Sequence, residues 1–269
     1  MKISVSNIIW KKGKENLPSF FSALSKHNIN GVELALSCFF EEPTDVSLNE
    51  LKWLKELLNQ YNLELVSLHS LTYTRPELEL FLSKKNRDEL IDYLCKYIDI
   101  ANTLGCENIV FGSPKSRKTY EKDNEQLNNI FIDTLSKIDS YSDNVNFNIE
   151  PLSTEYCNYL NTFMEGVELI KNHEFNNIFI QLDVRSVIES NENIVDIFSH
   201  FKYIKHVHTG NPGMKIPGDP YKKIHNLVMS NLKSFKYNGY ITAEVVMKNN
   251  NSVDNYLKKT VKSMRKFYG

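Results

Sequence analysis

Eight short apolar runs, each followed by a longer amphipathic one, recur through this 269-residue chain at roughly 30-residue spacing, and that rhythm restricts the fold more than any other feature. The runs are 2–9 (KISVSNII), 31–36 (GVELAL), 63–69 (LELVSLH), 107–112 (ENIVFG), 145–150 (VNFNIE), 177–183 (NIFIQLD), 203–208 (YIKHVH) and 240–246 (YITAEVV). Between them apolar residues fall at helical spacing, as in Leu51, Leu54, Leu57 and Tyr61, or Leu90, Leu94, Ile98 and Ala101. The second of these stripes is stopped by Gly105, a residue suited to a helix C-terminus. Helices are expected over 17–27, 48–61, 86–104, 124–141, 161–172, 193–200, 220–235 and 252–267. A strand separated from the next by a helix pairs in parallel through a right-handed crossover. Eight such units predict a closed (β/α)8 TIM barrel, an α/β fold, as a single domain over 1–269. The rival, an open doubly wound sheet, lacks its phosphate-binding G-x-G-x-x-G after the first strand.

Charge narrows the class of partner. Thirty-two Lys and Arg against 33 Asp and Glu leave a net charge of -1, too weak a field to capture nucleic acid or anionic lipid. No apolar run approaches the ~20 residues of a membrane span. The start, Met1 to Asn7, lacks the apolar region of a signal peptide, so a cytoplasmic protein is expected. Four scattered cysteines (Cys38, Cys95, Cys106, Cys157) form no CxxC pair and suggest neither a zinc knuckle nor a disulfide framework.

A barrel strand is buried on both faces and is apolar until its C-terminal end, where active sites open. Here polar residues break the rule at that end on four successive strands: Glu150, Asp183, His208 and Glu244, spaced 33, 25 and 36 residues apart. Three carboxylates aimed at one rim repel one another and are costly to desolvate. A divalent cation is the economical remedy; pairing with Lys or Arg of the loops is the plain alternative. Three oxygens and one imidazole suit Mn²⁺, Mg²⁺ or Co²⁺, and also Zn²⁺. His206 lies two residues before His208 and is expected to be hydrogen-bonded inside the barrel. Asn7, Glu33, His69, Lys115 and Arg117 are expected on the same rim as substrate-binding residues. His27, His173, His200 and His225 fall in helices or loops and are assigned no chemistry.

Several segments together resemble the sugar phosphate isomerase/epimerase proteins of the xylose-isomerase-like TIM barrel superfamily, which also contains ketose 3-epimerases and endonuclease IV. They are SNIIW (6–10), GVELAL (31–36), VFGSPKSR (110–117), IEPLSTEYCNYLNT (149–162), QLDV (181–184), HVHTG (206–210) and the strand bearing Glu244. The resemblance implies a metal held by Glu150, Asp183, His208 and Glu244, with the two glutamates as the acid–base pair on either face of a sugar carbon. It implies isomerisation or epimerisation of a sugar or sugar phosphate through an enediolate. Dimers and tetramers are common among the relatives, so a homo-oligomer is an open expectation. The chain departs from the epimerase pattern where Ser186 replaces a substrate-binding histidine and Met214 an arginine, with Lys215 beside it as a substitute. Tyr156 stands where those epimerases carry a substrate-facing glutamate. Lys115, Arg117, Arg185 and Lys215 are the candidate cations for a phosphate, and Arg185 could equally pair with a loop carboxylate. Two other readings stay in view: a barrel that binds a sugar without converting it, and an endonuclease IV-like phosphodiesterase.

Overall fold

The computed structural model describes residues 1–120, 123–247 and 252–269. Its parallel strands are Lys2–Ser6, Gly31–Leu34, Glu64–Leu68, Asn108–Phe111, Asn146–Ile149, a sixth in two pieces (Ile178–Ile180 and Leu182–Asp183), Val207–Thr209 and Tyr240–Ala243. The first strand pairs with both the second and the eighth, so the sheet curls around on itself. Strand six closes the remaining gap by dividing its partners at Gln181. Ile178–Ile180 pairs with strand five, and Leu182–Asp183 pairs with strand seven. The Gln181 N–H reaches back to the Ile149 carbonyl (2.7 Å) while that of Leu182 reaches forward to His206 (3.2 Å). The result is the expected (β/α)8 barrel.

Helices lie outside the strands. Leu17–Lys26, Leu48–Gln60, Lys84–Leu104, Asn124–Tyr141, Phe163–Ile170, Lys222–Ser234 and Val253–Tyr268 match expected positions to within a few residues. Local sequence sets their ends. Ser47 and Glu50 form a reciprocal capping box, and Gly105 takes the left-handed conformation (φ 75°) that ends Lys84–Leu104. No helix among the described residues is long and apolar enough to cross a membrane. Two differences from the sequence reading matter for function. Strand seven is only three residues long, because Phe201–Tyr203 forms a 3₁₀ turn instead of extended chain. A short helix, Val184–Glu189, not expected from periodicity, starts directly after strand six with Asp183 as its N-cap.

The barrel interior is polar, where such barrels usually hold Val, Ile and Leu. Ser4, Ser6, Glu33, Ser67, His206, His208 and Thr242 are all buried there. Hydrogen bonds cross the lumen from strand seven to strands two and three: His206 Nε2 lies 2.9 Å from Glu33 and 3.0 Å from Ser67. Buried polar groups persist only when partnered, so this network fastens opposite walls together.

Candidate active site

The site begins with Glu33, which is wholly buried. Its Oε2 accepts from His208 Nε2 (2.7 Å), His206 Nε2 (2.9 Å) and the Ser67 hydroxyl, and its Oε1 lies 3.5 Å from His69 Nε2. Burial alone would raise the Glu33 carboxyl pKa; His208, His69 and His206 overcome it and hold the group well below the usual carboxylate range. In turn Glu33 and the rim carboxylates outweigh burial at His208 and His69 and raise both imidazoles. At His206 burial prevails and the pKa falls. Glu33 thus anchors the histidines from beneath.

Above it His208 Nδ1 faces two carboxylates, Glu150 Oε1 at 3.3 Å and Glu244 Oε2 at 3.7 Å. Ligand atoms of Glu150, His208 and Glu244 all lie within 4.8 Å of one another. His69 supports the same cluster from strand three's end, with Nε2 on the Ser6 hydroxyl (2.7 Å) and Nδ1 near Glu244 Oε1 (3.3 Å). The two glutamates differ in ionisation. Burial, then Glu244 and Asp183, raise the Glu150 carboxyl against the opposing pull of His208. Glu244 is drawn down to about 2, because Arg185, His208 and His69 outweigh burial. One carboxyl leans toward its acid form and the other is ionised.

Asp183 stands beside this group but is already engaged. Its Oδ1 caps the short helix through the Arg185 N–H (2.9 Å), and its Oδ2 accepts from Arg185 Nη2 (2.8 Å), Nε (3.0 Å) and the Ser186 hydroxyl (3.1 Å). The same Nη2 lies 3.5 Å from Glu244 Oε2 and 3.9 Å from Glu150 Oε1. Three of the four expected metal ligands therefore do converge on a common atom, and that atom belongs to Arg185. Arg185, on the short helix that follows strand six, is thus the charge partner these carboxylates have within the chain.

The donor set nevertheless fits a divalent ion. Two carboxylates and an imidazole on one buried face suit Mn²⁺, Co²⁺ or Zn²⁺, and Glu244 Oε2 is buried without a hydrogen-bond partner. A second trio, Glu33, His206 and His208, is equally compact, but the Glu33 oxygen is already saturated by both imidazoles.

A cavity of about 500 Å³ opens over the cluster. Glu150, Glu244, His69 and Arg185 form part of its lining, with Lys115 and Tyr156 among the other lining residues. Tyr156 is 41% exposed, and the Arg185 guanidinium lies 5.7 Å from its ring centre. Met214, not Lys215, lines the cavity; Lys215 is exposed and its backbone pairs with Asn211.

Three residues expected to touch substrate do other work. Arg117 is wholly buried and donates to the Gly112 (2.8 Å) and Glu150 (2.7 Å) carbonyls, so it fixes backbone and presents no charge to the cavity. Asn7 is buried with its amide spent on both backbone groups of Ala35. Glu33 lies beneath the cavity lining as the anchor described above. Conversely, the long connection after strand three, which carries no sequence signal for a site, supplies Ser70, Thr72 and Tyr73 to the cavity. Gly112 matters by absence of a side chain: a Cβ there would collide with Glu150 Oε2.

The fold is shared widely. It is similar to D-psicose 3-epimerase (16% identity, all of both chains, TM-score 0.81). It is likewise similar to a 3-keto-D-glucoside 4-epimerase from E. coli (14% identity, 99% of this chain and 98% of that one, TM-score 0.80). An AP endonuclease of family 2 from Brucella melitensis also superposes (18% identity, 97% and 99%, TM-score 0.74). No curated protein matches the sequence itself. The family model described as xylose isomerase-like TIM barrel matches residues 21–267, and the chain accordingly belongs to that family.

Proposed function

We propose that this barrel is a sugar isomerase or epimerase that moves a proton on the carbon beside a carbonyl, through an enediolate. The observation that carries the reading is the pair Glu150 and Glu244. They flank one imidazole, border a cavity of sugar size, and are pushed in opposite directions of ionisation. Titratable groups held apart in this way mark an acid and a base. Glu244, ionised, is the group to take the proton; Glu150, held toward its acid form, is the group to return one. His69 and His208 orient the two carboxylates from below and keep positive charge near developing negative charge. Glu150, His208 and Glu244, with Asp183 beside them, would hold a divalent cation, whose contribution is Lewis-acid stabilisation of the enediolate oxygens. Structures similar in fold include sugar epimerases, which agrees with a small sugar as substrate.

The cavity carries Lys115 as an exposed cation on the strand-four loop, and a phosphorylated sugar is the substrate form that would use it. Ser186 and Met214, where epimerases of the resembled kind carry histidine and arginine, point to a sugar other than a simple free ketohexose. The test is deuterium exchange. Ketoses and sugar phosphates are incubated in D₂O with Mn²⁺, and label is expected at the carbon next to the carbonyl, lost in Glu244→Gln. A protein that binds sugars yet exchanges no deuterium with any of them would be a binding barrel instead.

A further inference from the structure

We propose that Arg185 is a built-in competitor for the metal seat, so that a divalent cation loads only when the guanidinium leaves. This rests on the metal-dependent reading above and adds what governs it. Arg185 Nη2 is the common neighbour of Asp183 (2.8 Å), Glu244 (3.5 Å) and Glu150 (3.9 Å), the position a shared cation would need. The guanidinium is there because Asp183 caps the helix that carries it, which folds the side chain back over the capping carboxylate. A divalent ion at this point would set two charges, in place of the guanidinium's one, against Asp183, Glu244 and Glu150. Away from Asp183 the arginine meets the cavity. It lines the cavity, its guanidinium already lies over the Tyr156 ring, and Glu189 follows it four residues later on the same short helix. Residues four apart share a helix face, so Glu189 is the carboxylate available to receive the displaced charge. Glu189 keeps Ser153 (3.2 Å) and the Gly213 N–H (3.3 Å) as partners meanwhile.

A site open only part of the time binds with an apparent affinity reduced by that fraction. The test titrates Mn²⁺ into metal-free, full-length protein and counts free ion by electron paramagnetic resonance. Wild type, Arg185→Met and Arg185→Lys are compared, each checked by circular dichroism. Binding is expected to tighten at least about tenfold in Arg185→Met, with a smaller gain in Arg185→Lys. Guanidinium ion, below denaturing concentration, should weaken Mn²⁺ binding to Arg185→Met and leave wild type unchanged. Should Arg185→Met fail to fold, Arg185→Lys carries the comparison. Equal, measurable affinity in wild type and the folded variants overturns the competition while leaving the metal reading intact. Absence of binding in wild type and variants alike defeats the metal reading, and this proposal with it.

Discussion

Two buried arginines approach Glu150, one from a loop and one from a helix, and they are not equivalent. Arg117, on the loop after strand four, donates to the carbonyls of Gly112 and Glu150 itself. Arg185, on the helix after strand six, is set against side-chain carboxylates: Asp183, Glu244 and Glu150. Within the described residues Arg117 leaves no carboxylate among its hydrogen-bond partners for a multivalent ion to compete over, so it acts as architecture. Burial lowers its pKa, and the Cys157, Glu150 and Tyr159 side chains offset that only in part. Carboxylates can exchange one cation for another, so Arg185 is replaceable. Burial by itself therefore does not say whether an arginine is scaffold or chemistry; the charge of its partners does.

The largest expected effect breaks the comparison on the Arg117 side. Arg117→Met strands two buried carbonyls and should cost about 3–5 kcal/mol of stability, read by urea unfolding. Added Mn²⁺ should not restore what is lost. Metal-free Arg185→Met should lose stability as well, but Mn²⁺ should return most of it, since three carboxylates then regain a cation. Next in size is Gly112→Ala, which drives a methyl into the Glu150 carboxylate that Arg117 helps to seat. A displacement of that kind should lower kcat by about a hundredfold with little change in KM. A smaller effect appears in acid. The Glu244 carboxyl sits at about 2 against an ordinary 4.5, so its contribution to stability is present above 4.5 and lost as pH falls toward about 2. In Arg185→Met, with chelator present, melting temperature should begin to fall at a higher pH than in wild type; in Lys115→Ala that acid limb should stay put. The smallest change is in substrate binding. Lys115→Ala should raise KM several-fold for phosphorylated sugars only, because one exposed lysine contributes on the order of 1 kcal/mol. An equal rise with neutral sugars would remove the phosphate role.

Much of this was legible beforehand, for reasons that differ from residue to residue. Asn124–Tyr141 and Lys84–Leu104 are long, periodic and capped, so local sequence determined them almost to the residue. Glu150, Asp183, His208 and Glu244 stood out because four successive doubly buried strands end in an acidic or imidazole group, where any one alone has a plain explanation in a loop cation. His206 was separable from His208 by position alone, and it does bond to Glu33 within the lumen. The short helix Val184–Glu189 was missed because six residues carry too little periodicity, and its start depends on Asp183 acting as a cap. Glu33 and Arg117 were placed on the right strand and loop, and Asn7, expected late in strand one, begins the 3₁₀ turn just after it; the depth of all three depends on how neighbouring walls close over them.

Alternation of strand and helix, and the polarity of strand ends, are properties of consecutive residues, and sequence by itself determined them. Which cation answers those carboxylates depends on groups as far apart along the chain as Glu150 and Glu244. Only the closed barrel, which brings strands five, six and eight to one rim, decided that the Arg185 guanidinium would lie among all three.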